Sequence, residues 1–153
     1  MTPPVIHKSF CIEHTYPTGA ERVFRALSDP EKKRRWFAEG EGFVVDSYTL
    51  DFRVGGFERT RFRFGDGPAM ATDGVYLDIV KDRRVVFAYS MTLGGEPMSS
   101  SLGTMELVPA ANGTQLRFTE HTAFVDGNDG SEARREGSLG LLEALAAELR
   151  AHP

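Results

Sequence analysis

A chain of 153 residues with 41% apolar and 26% charged residues has the balance of a globular fold, and its length suits one domain over 1–153 better than two. A formal net charge of -4 argues against nucleic acid as a partner, because phosphate binding draws on clustered Lys and Arg. The single Cys11 cannot form an internal bridge, no apolar run approaches the ~20 residues of a membrane helix, and residues 1–10 lack a secretion-signal layout, so a cytoplasmic chain without membrane insertion is expected.

Phe10, Ile12 and Tyr16 alternate with Glu13 and Thr15, which predicts a half-buried strand. Thr18 followed by Glu21 has capping-box spacing, and Val23, Phe24 and Leu27 continue at helical spacing. Asp29-Pro30 predicts a second short helix, with Asp as cap and Pro at the first position, closing at Trp36-Phe37. Six strands follow at short intervals: 44–52, 57–64, 71–80, 85–93, 100–108 and 114–124. The breaks between them, such as Gly55-Gly56, Gly94-Gly95 and Asn112-Gly113, are too short for parallel crossovers, so the strands are expected to be antiparallel. Asp129 and Glu132 have the spacing to cap a last helix, in which Leu141, Leu142, Leu145 and Leu149 form an apolar stripe. The order predicts an α+β fold: an antiparallel sheet of about seven strands, its apolar face covered by the long C-terminal helix.

This order and its local motifs resemble the START-like (SRPBCC) helix-grip superfamily, in the branch of the activator of Hsp90 ATPase and the calicheamicin-resistance protein. The residues that carry the resemblance are Arg22-Val23-Phe24, Asp29-Pro30, Trp36-Phe37, Asp51-Phe52-Arg53-Val54-Gly55-Gly56 with Glu58, Tyr76 to Val80, Tyr89-Ser90-Met91, Gly113-Thr114, Thr119-Glu120, and Arg135 with Gly137. They run over nearly the whole chain. The resemblance implies a helix-grip fold with a cavity between sheet and C-terminal helix. Its members include lipid and polyketide binders, cyclases and cochaperones, so it implies much less about activity. Many relatives carry Gly-Trp early in the last helix, where this chain has Gly137-Ser138, so a relative's ligand does not transfer directly.

Candidate residues follow from strand and helix parity. Cys11 and His14 fall on opposite faces of a strand, and His7, His121 and His152 have no paired spacing, so no metal or cofactor is expected. There is no Gly-x-Ser-x-Gly and no phosphate loop; the Ser99-Ser100-Ser101 run reads as a turn leading into a strand. Glu120 shares its parity with Leu116, Phe118, Thr122 and Phe124 and should point inward, where a carboxylate needs a partner. Counting back along the helix stripe from Leu142 places Ser138 and Arg134 on the sheet-facing side, making Arg134 the candidate partner. Two readings stay open there: a polar end that orients a ligand, or a structural ion pair. His14 either joins this cluster or is a structural imidazole. Phe87, Tyr89 and Met91 share one strand face, and with Trp36 and Phe37 they either line a cavity or fill the core. Arg59, Arg61 and Arg63 read as an outer sheet face, and Lys32-Lys33-Arg34-Arg35 as the exposed side of the short helix.

The leading expectation is therefore a binder of a small, mostly apolar molecule, aromatic, polyketide-like or lipid, touched by Trp36, Phe37, Phe87, Tyr89, Met91, Phe118, Glu120, Arg134, Ser138 and Leu142. The alternatives are a cyclase- or hydrolase-type enzyme using Glu120 or His14, and a chaperone-interacting protein. Whether the chain is a monomer or a homodimer is left open.

Overall fold

The computed structural model describes residues 2–39 and 42–153. Strand β1 (Ile6–Tyr16) leads into helix α1 (Ala20–Ser28), helix α2 (Pro30–Lys33) and a π-helical turn (Arg34–Ala38). Strands β2 (Phe43–Leu50), β3 (Phe57–Phe64), β4 (Met70–Val80), β5 (Arg84–Leu93), β6 (Glu96–Ala110) and β7 (Gly113–Phe124) follow, and helix α3 (Ser131–Ala151) ends the chain. All neighbouring strands pair antiparallel in the order β1-β7-β6-β5-β4-β3-β2, so the first strand lies beside the last and β1 and β2 form the edges.

The core is built by alternation. Every second residue of β7, from Thr114 to Phe124, is buried, and Ile12 and Tyr16 of β1 face the same side. Against them α3 presents Ser138, Leu142 and Leu145, while α1 contributes Val23, Ala26 and Leu27. The helix packs chiefly on the π-helical turn, β1 and α1. The other half of the concave face is left open: the inward residues Phe62, Met70 and Met91 are only half-buried, and Phe64 is 57% exposed. Bulges at Asp46, Leu77 and Met98 bend β2, β4 and β6 around this open part.

Several local expectations are corrected. The Thr18–Glu21 capping box does not form, because Thr18 N turns back to Tyr16 O at 2.8 Å and Gly19 becomes the cap of α1. Asp29 does cap α2, accepting from Glu31 N and Lys32 N. Asp129 accepts from both N and Oγ of Ser131 and Gly130 takes the cap position of α3, so no capping box with Glu132 is made. The Ser99 to Ser101 run lies inside β6, not in a turn.

The basic run also departs from expectation. Lys33 is only 6% exposed, and Arg35 makes a two-pronged pair with the buried Glu148 at 2.9 and 2.7 Å. Four consecutive residues exceed one helical turn, so they cannot all face solvent. By contrast Arg59 and Arg61 sit on the outer face, both paired with Asp73, and Arg63 pairs with Asp46.

Candidate functional site: a polar cluster on the concave face

Glu120 is 1% exposed and points inward from β7, as its parity demands. Its Oε1 accepts from the Tyr89 hydroxyl at 2.6 Å, and its Oε2 accepts from Thr122 Oγ1 at 2.8 Å and Arg134 Nη1 at 3.4 Å. Arg134 descends from the first turns of α3 and spreads its donors over β5 and β6. Nη1 reaches the Tyr89 oxygen at 3.2 Å and Ser101 Oγ at 3.2 Å, and Nη2 donates to Ser99 Oγ at 2.7 Å. Ser101 and Thr122 share a further bond at 2.8 Å. The guanidinium also lies over the Phe124 and Tyr89 rings, at 5.3 and 5.8 Å. Burial, reinforced by the Glu120 charge, pushes the Tyr89 hydroxyl above the ordinary phenol range, so it stays a donor.

The register explains the convergence. Tyr89 opposes Ser101, which opposes Thr122; Met91 opposes Ser99, which opposes Phe124. Inward positions of three adjacent strands thus form two rows beneath Arg134. Gly103, between Glu120 and Phe87, leaves room for the Phe87 ring, which an added Cβ there would approach to 2.5 Å. Phe87 stacks on Tyr89 and Phe118, with centroids 6.0 and 6.3 Å apart.

Of the ten predicted residues, Tyr89, Glu120 and Arg134 touch directly, with Phe87 and Phe118 stacked alongside and Met91 opposite Ser99. Ser138 and Leu142 are buried on the inner face of α3. Trp36 lies apart, donating from Nε1 to Ala26 O at 2.9 Å, and Phe37 leans on Tyr48. His14 does not join the cluster: it opposes Leu116, four residues along β7 from Glu120, and stacks on Tyr16. Sequence reading missed Ser99 and Ser101 as Arg134 acceptors. Their strand alternation was the available signal.

A second polar cluster lies across the same face. Lys33 Nζ meets both Glu58 oxygens, at 3.1 and 2.9 Å, and the Tyr48 hydroxyl donates to Oε2 at 2.5 Å. Lys33 also sits over the Phe37 ring at 4.6 Å. Two hollows indent the surface elsewhere. One of about 30 Å³ lies by Arg22, Arg25, Glu148 and His152, and an open one of about 480 Å³ lies over β1, β7 and β6 near His7, Leu102 and His121. None of the ten predicted ligand residues lines either one. Among the described residues no helix is long and apolar enough to cross a membrane.

A seven-stranded antiparallel sheet holding a C-terminal helix, with short helices after the first strand, is the helix-grip arrangement. The chain belongs to the activator of Hsp90 ATPase homolog 1-like protein family, whose model matches residues 17–150, in agreement with the resemblance read from the motifs. Among solved structures it is similar to the Mll3558 protein of Rhizobium loti, with 50% identity, 95% of this chain and 99% of that one covered, and a TM-score of 0.88. A Rhizobium leguminosarum protein has 38% identity, coverage of 97% and 98%, and a TM-score of 0.93. DynU16, a protein in the dynemicin biosynthetic locus, shares the fold at 21% identity and a TM-score of 0.67, over 93% of this chain and 47% of its own. No curated protein matches in sequence.

Proposed function

We propose that the chain, acting as one domain, binds a small, mostly apolar molecule on the concave face between the sheet and α3. The observation that supports this best is the adjacency of two surfaces. Half-buried Phe62, Met70 and Met91, with the more exposed Phe64 and Leu93, form an apolar strip on β3, β4 and β5. That strip runs up to the Tyr89–Glu120–Arg134 cluster, since Met91 and Tyr89 are successive inward residues of β5. Apolar surface contributes affinity at about 25 cal/mol per Å² buried, and the cluster supplies a fixed polar edge that orients the ligand.

Both Glu120 oxygens are engaged by protein donors, which supports a positioning role over proton transfer for this carboxylate. The test is an NMR titration of the chain with fluorene, naphthalene and palmitate, alongside thermal melting. The expected result is a rise in Tm with shifts concentrated at Met70, Met91 and Phe62. Shifts confined to the outer face near His7 and His121, or none with any probe, reject the reading.

A further inference from the structure

The face of the sheet turned away from α3 carries a continuous apolar row. Strand pairing sets Phe57 of β3, Val75 of β4, Ala88 of β5 and Leu102 of β6 side by side, with His121 of β7 next in line. Each is adjacent in sequence to an inward residue, Glu58, Gly74, Tyr89, Ser101 or Glu120, so the row points outward. Phe57 is 51% exposed and Leu102 43%, while Val75 and Ala88 between them are half-buried.

The row has a knob at one end and a hollow at the other. Phe57 stands on β3 with the Arg59 guanidinium 4.7 Å from its ring centre. Around β7, the open hollow of about 480 Å³ has His7, Leu102 and His121 among its lining, together with the short side chains of Ser9, Ser100 and Ala123. The register accounts for it: Ser100 opposes Ala123, so two short side chains meet beside the longer His121 and Leu102.

Knob and hollow are equally far from β5. In the order β7-β6-β5-β4-β3 each lies two strands from Ala88. A twofold axis along β5 exchanges β3 with β7 and β4 with β6. Two copies placed face to face about it set Phe57 of one in the hollow of the other, Val75 against Leu102, and Ala88 against itself. An isologous contact needs such a self-matching surface. Ala88, the smallest side chain from Phe57 to His121, falls on the axis, where a bulky residue would meet its own copy. In the next row the same axis sets Asp73 against Ser100 and Ser90 against Ser90, polar against polar. Five strands about 4.8 Å apart and three outward rows cover about 24 by 20 Å, which gives about 1,000 Å² over both copies, the lower limit for a specific interface.

We propose that two copies of this chain associate through the outer sheet face about a twofold axis along β5, with Phe57 of each seated beside Leu102 and His121 of the other. The concave face stays open in both copies, so this association is independent of any ligand bound there.

Sedimentation velocity of the full chain from about 1 µM to about 1 mM tests this, and the expected result is a monomer–dimer equilibrium with a Kd of about 10–100 µM. Ala88→Arg places two like charges on the axis and should raise Kd at least about tenfold. Phe57→Lys, at a position already exposed, should do the same, so the test does not depend on how well Ala88→Arg folds. Val75→Lys and Leu102→Glu should each weaken association alone, and an equal mixture of the two should restore it. Only the mixed pair sets the introduced amine against the introduced carboxylate. A chain that stays monomeric throughout, a Kd unchanged in Phe57→Lys, or a mixture that associates no better than its parts overturns the proposal.

Discussion

Arg134 of α3 and Glu120 of β7 approach to 3.4 Å with Glu120 buried and Arg134 nearly so, and Arg134 ties that carboxylate from the helix to Ser99 and Ser101 on β6. Removing one partner strands a charge that water cannot reach. Arg134→Met is therefore expected to cost about 3–5 kcal/mol, with Glu120→Gln added to it restoring much of the loss. Urea unfolding of both variants measures this. A single variant within about 1 kcal/mol of wild type would show that the cluster does not fasten α3 to the sheet.

Two tyrosines separate the value of a made bond from that of an unmade one. The Tyr16 hydroxyl donates to Leu142 O at 2.9 Å in the core, whereas the Tyr76 hydroxyl, beside the Glu58 carboxylate, makes no hydrogen bond of good geometry. Tyr16→Phe should lose about 1 kcal/mol of stability, leaving a helix carbonyl short of a donor. Tyr76→Phe should lose nothing and gain up to about 1 kcal/mol. Equal losses in both variants, measured by denaturant midpoints at unchanged m, would mean that Tyr76 is bonded in solution.

The legible part of this site was whatever followed from period. Alternation along β7 is enough to turn Glu120 inward, and counting back through the α3 stripe puts Arg134 opposite it. The antiparallel run from β2 to β7 was legible because short turns allow only hairpins, whereas the pairing of β1 with β7 carries no such signal. What stayed hidden needed partners distant in sequence. Lys33 looks solvated among four basic residues until a carboxylate 25 positions away faces it, and the π-helical turn that follows it has no simple spacing signature. Ser99 was obscured by a boundary: β6 begins at Glu96, before the residues whose β-propensity announces it. At the far end of α3 the stripe drifts, so Glu148 is buried where Leu149 was expected to be the inward residue.

Lys33 and Arg34 are adjacent, yet their ion pairs should differ in weight. Lys33 faces Glu58 with both side chains largely buried, while Arg34 pairs with Glu39 in the open, both about half-exposed. Lys33→Met should cost about 3 kcal/mol or more by leaving Glu58 unpaired, and Arg34→Met no more than about 1 kcal/mol. Chemical denaturation of the two variants side by side decides this. Similar small costs would place Lys33 in solvent contact and remove the second polar cluster.

All four tyrosines of the chain, Tyr16, Tyr48, Tyr76 and Tyr89, have pKa values raised above the ordinary 10.0, with burial the largest cause in each. The folded state thus keeps phenolic protons that the unfolded chain releases. By linkage, the stability this represents is whole below about pH 10 and falls as pH rises above it, by about 1.4 kcal/mol per pH unit for each tyrosine still protonated when folded. With four such groups the fall should be steep, and unfolding should begin before tyrosinate appears in the native state. Absorbance near 295 nm followed together with far-UV circular dichroism from pH 8 to 12 tests this. The two signals are expected to change in one cooperative step. Tyrosinate absorbance growing gradually while the dichroism holds constant would show that these hydroxyls reach solvent, and would undo the buried hydrogen-bond network drawn for Tyr89 and Tyr48.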